Sequence, residues 1–275
     1  MSSSLPAAFA QTSQVDLQPR KIIEQRLKKA PFSNSKRELA LKQMLTEAGC
    51  PQLAEQPVKT LSEPNIICKV PGATDRVIIL GAHFDHVNVG AGVVDNWSGA
   101  SLLPSLLQTA LKEPRHHTFI FIGFSGEERG EIGSAFYVGS LSEEQRSKIS
   151  AMVNLDTLGL GPTEVWASRG DPKLVNALGV VAHQLASPLS IANVEQVGST
   201  DSEQFRIKNV PAVTIHTLTS KTLSVLHTMR DQESEISWKD YYENYRLTAA
   251  YLVFLDSVLN AESQQQPAAG ASVTQ

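Results

Sequence analysis

The 275-residue chain predicts an α/β fold, a single-domain three-layer αβα arrangement around a central mixed, mostly parallel sheet. Two observations lead there. Apolar runs rich in β-branched and aromatic residues alternate with helical patterns from residue 18 to residue 260, with no internal repeat and no linker between them. Three of those runs also end in acids or a histidine, and in open α/β sheets the loops at the carboxyl edge are where ligands bind.

Taken in order, residues 1–17 are small and polar and predict a disordered segment. Within it, Ala8-Phe9-Ala10 before Gln11 resembles the small-x-small cleavage site of a secretory signal. Its apolar core is missing, which fits the remnant of a trimmed leader and favours a secreted or periplasmic protein. Ile22, Ile23 and Leu27, then Leu39, Leu41, Met44 and Leu45, recur at helical spacing on either side of Pro31-Phe32-Ser33-Asn34. Gly49 and Pro51 stop the second helix. Asn65–Val70 and Arg76–Ala82 read as strands joined by Pro71-Gly72, a predicted hairpin.

Ser98–Lys112 reads as a helix bent at Pro104, where a backbone hydrogen bond is removed. His117–Phe124 is a strand running into Ser125-Gly126-Glu127-Glu128-Arg129-Gly130, and Ile132–Val138 a short helix. Ser142 with Gln145 forms a capping signature for the next helix. Ala151–Leu155 is a strand with Asp156 at its tip, and Glu164–Ala167 another, shorter one. Asp171 followed by Pro172 opens a helix to Leu185. Ser202–Phe205 is a helical turn, Val210–His216 a strand, and residues 239–259 a long amphipathic helix. The Gln/Ala/Ser-rich residues 261–275 predict a disordered tail.

Composition narrows the partners. The net charge is −4 and no Lys/Arg-rich run occurs, so there is no electrostatic footprint for nucleic acid or an anionic membrane. No apolar run approaches the roughly 18 residues of a membrane span. Cys50 and Cys68 fall in a helix terminus and a strand; they bridge if the fold brings them together and otherwise sit as buried thiols.

The chemistry gathers at the strand tips: His83, Asp95, Glu127, Glu128, Asp156 and His227. Any one of these acids alone reads as a turn residue or helix cap. Together they do not, because crowded carboxylates repel unless cations neutralise them. His and carboxylate ligands suit divalent metal, zinc first, and two histidines with three carboxylates, one shared, satisfy two ions. The sixth residue is then free to act as a base.

The order H-x-D (His83, Asp85), D-N-x-S-G (Asp95–Gly99), E-E-x-G-x-x-G-S (Glu127–Ser134), N-L-D (Asn154–Asp156) and H-T-x-x-D (His227–Asp231) resembles the co-catalytic zinc aminopeptidase family, which also contains glutaminyl cyclases and glutamate carboxypeptidase II. The likeness covers about residues 18–260, which it marks as a zinc peptidase domain with a zinc-exopeptidase-like fold. It implies two zinc ions per chain. One would be held by Glu128, His227 and Asp95, the other by His83, Asp156 and the same bridging Asp95. It implies Glu127 as general base and Asp85 as the partner that accepts the other ring proton of His83 and fixes its tautomer. The substrates implied are peptides with a free N-terminus, the amine bound beside the metals.

The chain departs from the family pattern in places. Thr200-Asp201-Ser202-Glu203 stands where Asp-His or Asp-Tyr is usual, Asp201 reading as a supporting residue or a helix cap. Trp97 replaces a small residue and reads as packing in preference to a pocket wall. His216 also ends a strand, but His227 carries the H-T-x-x-D context. A two-zinc carboxypeptidase or deacylase would insert a dimerisation domain, and Asp156 to His227 spans only 71 positions. A glutaminyl cyclase, the alternative, typically has Trp before the last His and one zinc, whereas this chain has Leu226 and the full ligand set. A binding protein that has lost catalysis would lack ligands. The pocket walls come from loops such as Leu218–Val225 that carry no readable pattern, which leaves the preferred N-terminal residue and the oligomeric state open.

Overall fold

A computed structural model describes residues 15–265, with side chains to residue 261. An eight-stranded sheet runs through it in the order β1-β2-β4-β3-β5-β8-β6-β7. The strands are β1 (Gln52–Gln56), β2 (Asn65–Val70), β3 (Val77–His83), β4 (Thr118–Phe124), β5 (Ile149–Leu155), β6 (Thr163–Val165), β7 (Leu189–Ile191) and β8 (Ala212–His216). The central four, β4, β3, β5 and β8, are mutually parallel. Their carboxyl ends therefore share one edge.

The central strands are buried on both faces, as a parallel sheet demands. Alternate residues face opposite ways: Ile78, Leu80 and Ala82 of β3 join the larger core, while Ile79 turns to the smaller one. The larger core lies under α1 (Arg20–Lys28), α2 (Asn34–Glu47), α3 (Leu103–Lys112), α6 (Pro172–Gln184) and α8 (Trp238–Gln265). The smaller one takes Tyr137 and Val138 from α4 (Ile132–Ser140) and Phe205 from α7 (Ser202–Ile207). That makes the three layers expected from the sequence.

The expected caps form. Asp171 accepts from the N–H groups of Lys173 and Leu174 at the start of α6. Ser142 and Gln145 make a reciprocal capping box on α5 (Glu143–Ser147). Two expectations are corrected. Asn65–Val70 and Arg76–Ala82 are not a hairpin, because β4 lies between β2 and β3, antiparallel to one and parallel to the other. The hairpin partner of β2 is β1, a largely exposed strand. At Pro104 the helix does not bend but restarts, with Pro104 in the first turn of α3, where its missing N–H costs no bond.

Cys50 and Cys68 form a disulfide, tying the loop after α2 to β2. Of the segment expected to be disordered at the start, Val15 and Leu17 pack against the core; the leader-like residues 8–10 and most of the tail lie outside the described residues. Among the described residues no helix is long and apolar enough to cross a membrane.

Candidate active site

Each strand tip delivers one part of the cluster. β3 ends at His83, whose ring is buried. β4 ends at Phe124, and Ser125 and a left-handed Gly126 turn the chain so that Glu127 and Glu128 follow. β5 ends at Leu155, immediately before Asp156. The Asp85 carboxylate does not take the ring proton of His83, as the resemblance implied. It accepts the backbone N–H groups of Glu127 (3.1 Å) and Glu128 (3.3 Å), while His83 Nδ1 lies 3.1 Å from the Asp85 carbonyl oxygen and 3.7 Å from its carboxylate. Asp85 thus aims the paired glutamates, and a backbone carbonyl orients the imidazole.

Asp95 sits on an irregular loop that three residues hold in place. Asp231 accepts from the N–H of Val94 at 2.7 Å and of Asp95 at 3.4 Å. Asn96 donates to the Leu155 carbonyl and accepts from Gly99 and Thr157, tying the loop to the tip of β5. Only glycine fits at position 99, since a Cβ there would stand 2.5 Å from the Leu155 oxygen. Arg37, fully buried, donates to the carbonyls of Pro31, Phe84, Ala91 and Gly92 and lies over the Trp97 ring. Trp97 is itself fully buried, a packing residue.

The side chains then converge. His83 Nε2 lies 3.2 Å from Asp95 Oδ1, 3.6 Å from Asp156 Oδ1 and 3.8 Å from Glu127 Oε2. His227 Nε2 lies 3.4 Å from the other oxygen of Asp95 and 2.9 Å from Glu128 Oε2. Asp95 divides its two oxygens between the two histidines. That is the disposition a bridging ligand needs.

The electrostatics follow from burial and crowding. Burial works against the imidazolium of His83, but Glu127, Asp156 and Asp95 outweigh it and hold its pKa well above the ordinary value. His227 is pushed up to about 10 by its hydrogen bonds to Asp95 and Glu128. Burial pushes Glu127 well above the usual carboxylate range, and the charges of Asp156, Asp201 and Asp95 add to it. Burial raises Glu128 as well. Asp95 goes down despite its burial, because both histidines donate to it.

Imidazolium protons here do what a cation would do. His83, Asp95 and Glu128 present ligand atoms within 4.8 Å of one another, and so do His83, Glu127 and Asp156. Glu128 Oε1 is buried with no hydrogen-bond partner. A buried acceptor left unpaired among converging carboxylates fits a metal ion.

His216 is no rival ligand. Its Nε2 donates to the Ala192 carbonyl and its Nδ1 accepts from the Leu218 N–H, so both nitrogens are used, and burial lowers its pKa to about 4. Asp156 is held by the hydroxyls of Thr157 and Thr200. Asp201 stands at the N-cap of α7 but makes no capping bond with its side chain; it is fully buried near Ser134, and burial raises its pKa to about 8. His227 is the half-exposed member and opens onto a cavity of about 450 Å³. Glu127, Glu128 and Asp156 line one part of it, and Trp166, Val194, Leu218 and Leu226 another. Sequence reasoning missed Arg37, Trp166 and Glu131, which lines the same cavity.

Known proteins share this framework. Leupeptin-inactivating enzyme 1 of Streptomyces exfoliatus is 31% identical over 154 residues, 54% of this chain and 34% of that protein, so the chain spans about a third of that relative's length. Among solved structures, a zinc aminopeptidase from Bacillus subtilis superposes with a TM-score of 0.63 at 24% identity over 69% of this chain and 49% of that one. A glutaminyl cyclase from Porphyromonas gingivalis gives 0.65 at 16% identity over 85% and 96%. These two show the shared fold. The model of Peptidase family M28 matches residues 65–252, a stretch that contains every one of the converging acids and histidines, and the chain belongs to that family.

Proposed function

We propose that the chain is a zinc-dependent aminopeptidase that releases the N-terminal residue of peptides, working through residues 18–260. The observation that carries this reading is Asp95, whose two oxygens face His83 and His227 separately while the adjacent Glu127 and Glu128 point to different partners. Glu128, His227 and Asp95 would hold one zinc, and His83, Asp156 and Asp95 the other. When bound, a pair of zinc ions acidifies a shared water and polarises the scissile carbonyl.

Glu127 is left for proton transfer. Its carboxylate has a raised proton affinity, so it can accept the proton of the attacking water and later deliver it to the leaving amine. The acidic lining of the cavity attracts the substrate's free ammonium group. The complete ligand set supports a peptidase over a glutaminyl cyclase. The Cys50–Cys68 disulfide supports an oxidising, extracytoplasmic location.

Blocking the amine tests the reading. A short peptide should lose its first residue, and the same peptide acetylated at the N-terminus should not. Efficient cleavage of the blocked peptide, or release from the carboxyl end, would move the protein to another class.

A further inference from the structure

Glu131 is the fifth residue of the segment Glu127–Ser134 and has no place in the chemistry above, yet its surroundings are unusual. It is 7% exposed and lines the cavity that holds the cluster. Its backbone is left-handed, with φ 56°, a conformation that side-chain-bearing residues seldom adopt. It stands at the N-cap of α4 but makes no capping bond with its side chain. The carboxylate instead accepts from the Ser199 hydroxyl on one oxygen and from Gln204 Nε2, at 2.7 Å, on the other. Among the described residues no lysine, arginine or histidine pairs with it.

An ionised carboxylate offers about four acceptor sites, and two donors leave room for more. Burying such a charge without a cation is costly unless something else uses it. Ser199 and Gln204 fix its orientation, and the residue lines the cavity beside Glu127 and Glu128. A positive group on a ligand fits there.

The position says which part of the ligand. Glu131 follows Glu127 by one turn, its N–H donating to the Glu127 carbonyl at 2.8 Å. In the reading above, which this inference deepens and on which it rests, Glu127 delivers a proton to the leaving amine. The residue beginning at that amine is the second residue of the substrate, so it lies on the Glu127 side. The apolar wall of Trp166, Val194 and Leu218, a separate cluster, is left for the first residue.

We propose that Glu131 is a specificity residue that selects peptides with lysine or arginine in second position. A charge pair formed in a partly dehydrated cavity supports a preference of about tenfold or more.

The test compares kcat/KM of the zinc-supplemented protein on Leu-Lys, Leu-acetyl-lysine, Leu-norleucine and Leu-Asp peptides otherwise identical, and repeats it with Glu131→Gln. Lysine should exceed acetyl-lysine and norleucine by about tenfold, aspartate should be the poorest, and Glu131→Gln should level lysine with norleucine while leaving norleucine turnover within about threefold of the parent. Equal turnover of lysine and acetyl-lysine by the parent overturns the proposal and leaves the aminopeptidase reading standing. So does a Glu131→Gln protein that keeps the preference, or one that is folded and loses all substrates equally. If Glu131→Gln does not fold, the parent's comparison of lysine with acetyl-lysine decides alone. Release of no N-terminal residue from any of these peptides overturns both readings.

Discussion

Arg37→Met removes the guanidinium that holds the approach to Asp95 beside Asp231 and Asn96. The guanidinium serves four carbonyls, and its bonds to those of Phe84 and Gly92 are buried. Leaving a buried acceptor unsatisfied costs about 1–3 kcal/mol, so two such acceptors put about 2–6 kcal/mol at risk. Part of this is offset, because burial already disfavours the charge and lowers the Arg37 pKa to about 10. We expect a net loss of about 3 kcal/mol in urea unfolding of the metal-free protein. Since Phe84, Ala91 and Gly92 connect His83 to Asp95, we also expect zinc affinity to fall about 10- to 100-fold by chelator competition. Arg37→Lys keeps the charge but cannot span four carbonyls, and should fall between. A stability loss under about 1 kcal/mol with unchanged zinc affinity would refute the clamp.

The paired glutamates should separate. Glu127→Gln is nearly isosteric, should keep its zinc content and should lower kcat by about a hundred- to ten-thousand-fold with little change in KM; activity within about threefold of the parent would remove Glu127 from proton transfer. Glu128→Ala should instead lose metal, read by elemental analysis after dialysis, and with it part of the thermal stability. The metal-free protein should lose stability as pH rises from 6 to 9. Protonation of His227, pKa about 10 when folded, stabilises fully below its unfolded value near about 6.5 and is lost as pH climbs through about 10, and the proton on Asp201 is lost near about 8. A metal-free Tm that climbs over that interval would contradict the pairing of His227 with Asp95 and Glu128 and the burial of Asp201.

Strand tips were legible from sequence because a buried parallel strand announces itself as a short apolar run, and the acids follow it directly. Order across the sheet was not. β2 and β3 are neighbours in sequence across Pro71-Gly72, but β4, more than forty residues further on, is inserted between them. β1, Gln-Leu-Ala-Glu-Gln at an exposed edge, has no hydrophobic pattern to read. The proposed ligands stand in local motifs, whereas supporting contacts depend on distant segments meeting. Arg37 reaches the Asp95 loop from α2, and Trp166 and Val194 meet across a cavity wall. Asp85 shows the same limit within one motif: the family resemblance implied a ring partner for His83, and the fold turns its carboxylate to the two glutamate N–H groups instead.

The most direct measurement is zinc stoichiometry against activity. Metal-free protein is titrated with zinc, bound metal is counted per chain by elemental analysis, and release of an N-terminal leucine is followed in the same samples. Bridging by Asp95 predicts two ions per chain at full activity, with cleavage lost on chelation and recovered on adding zinc back. Full activity with one ion or none per chain would contradict it.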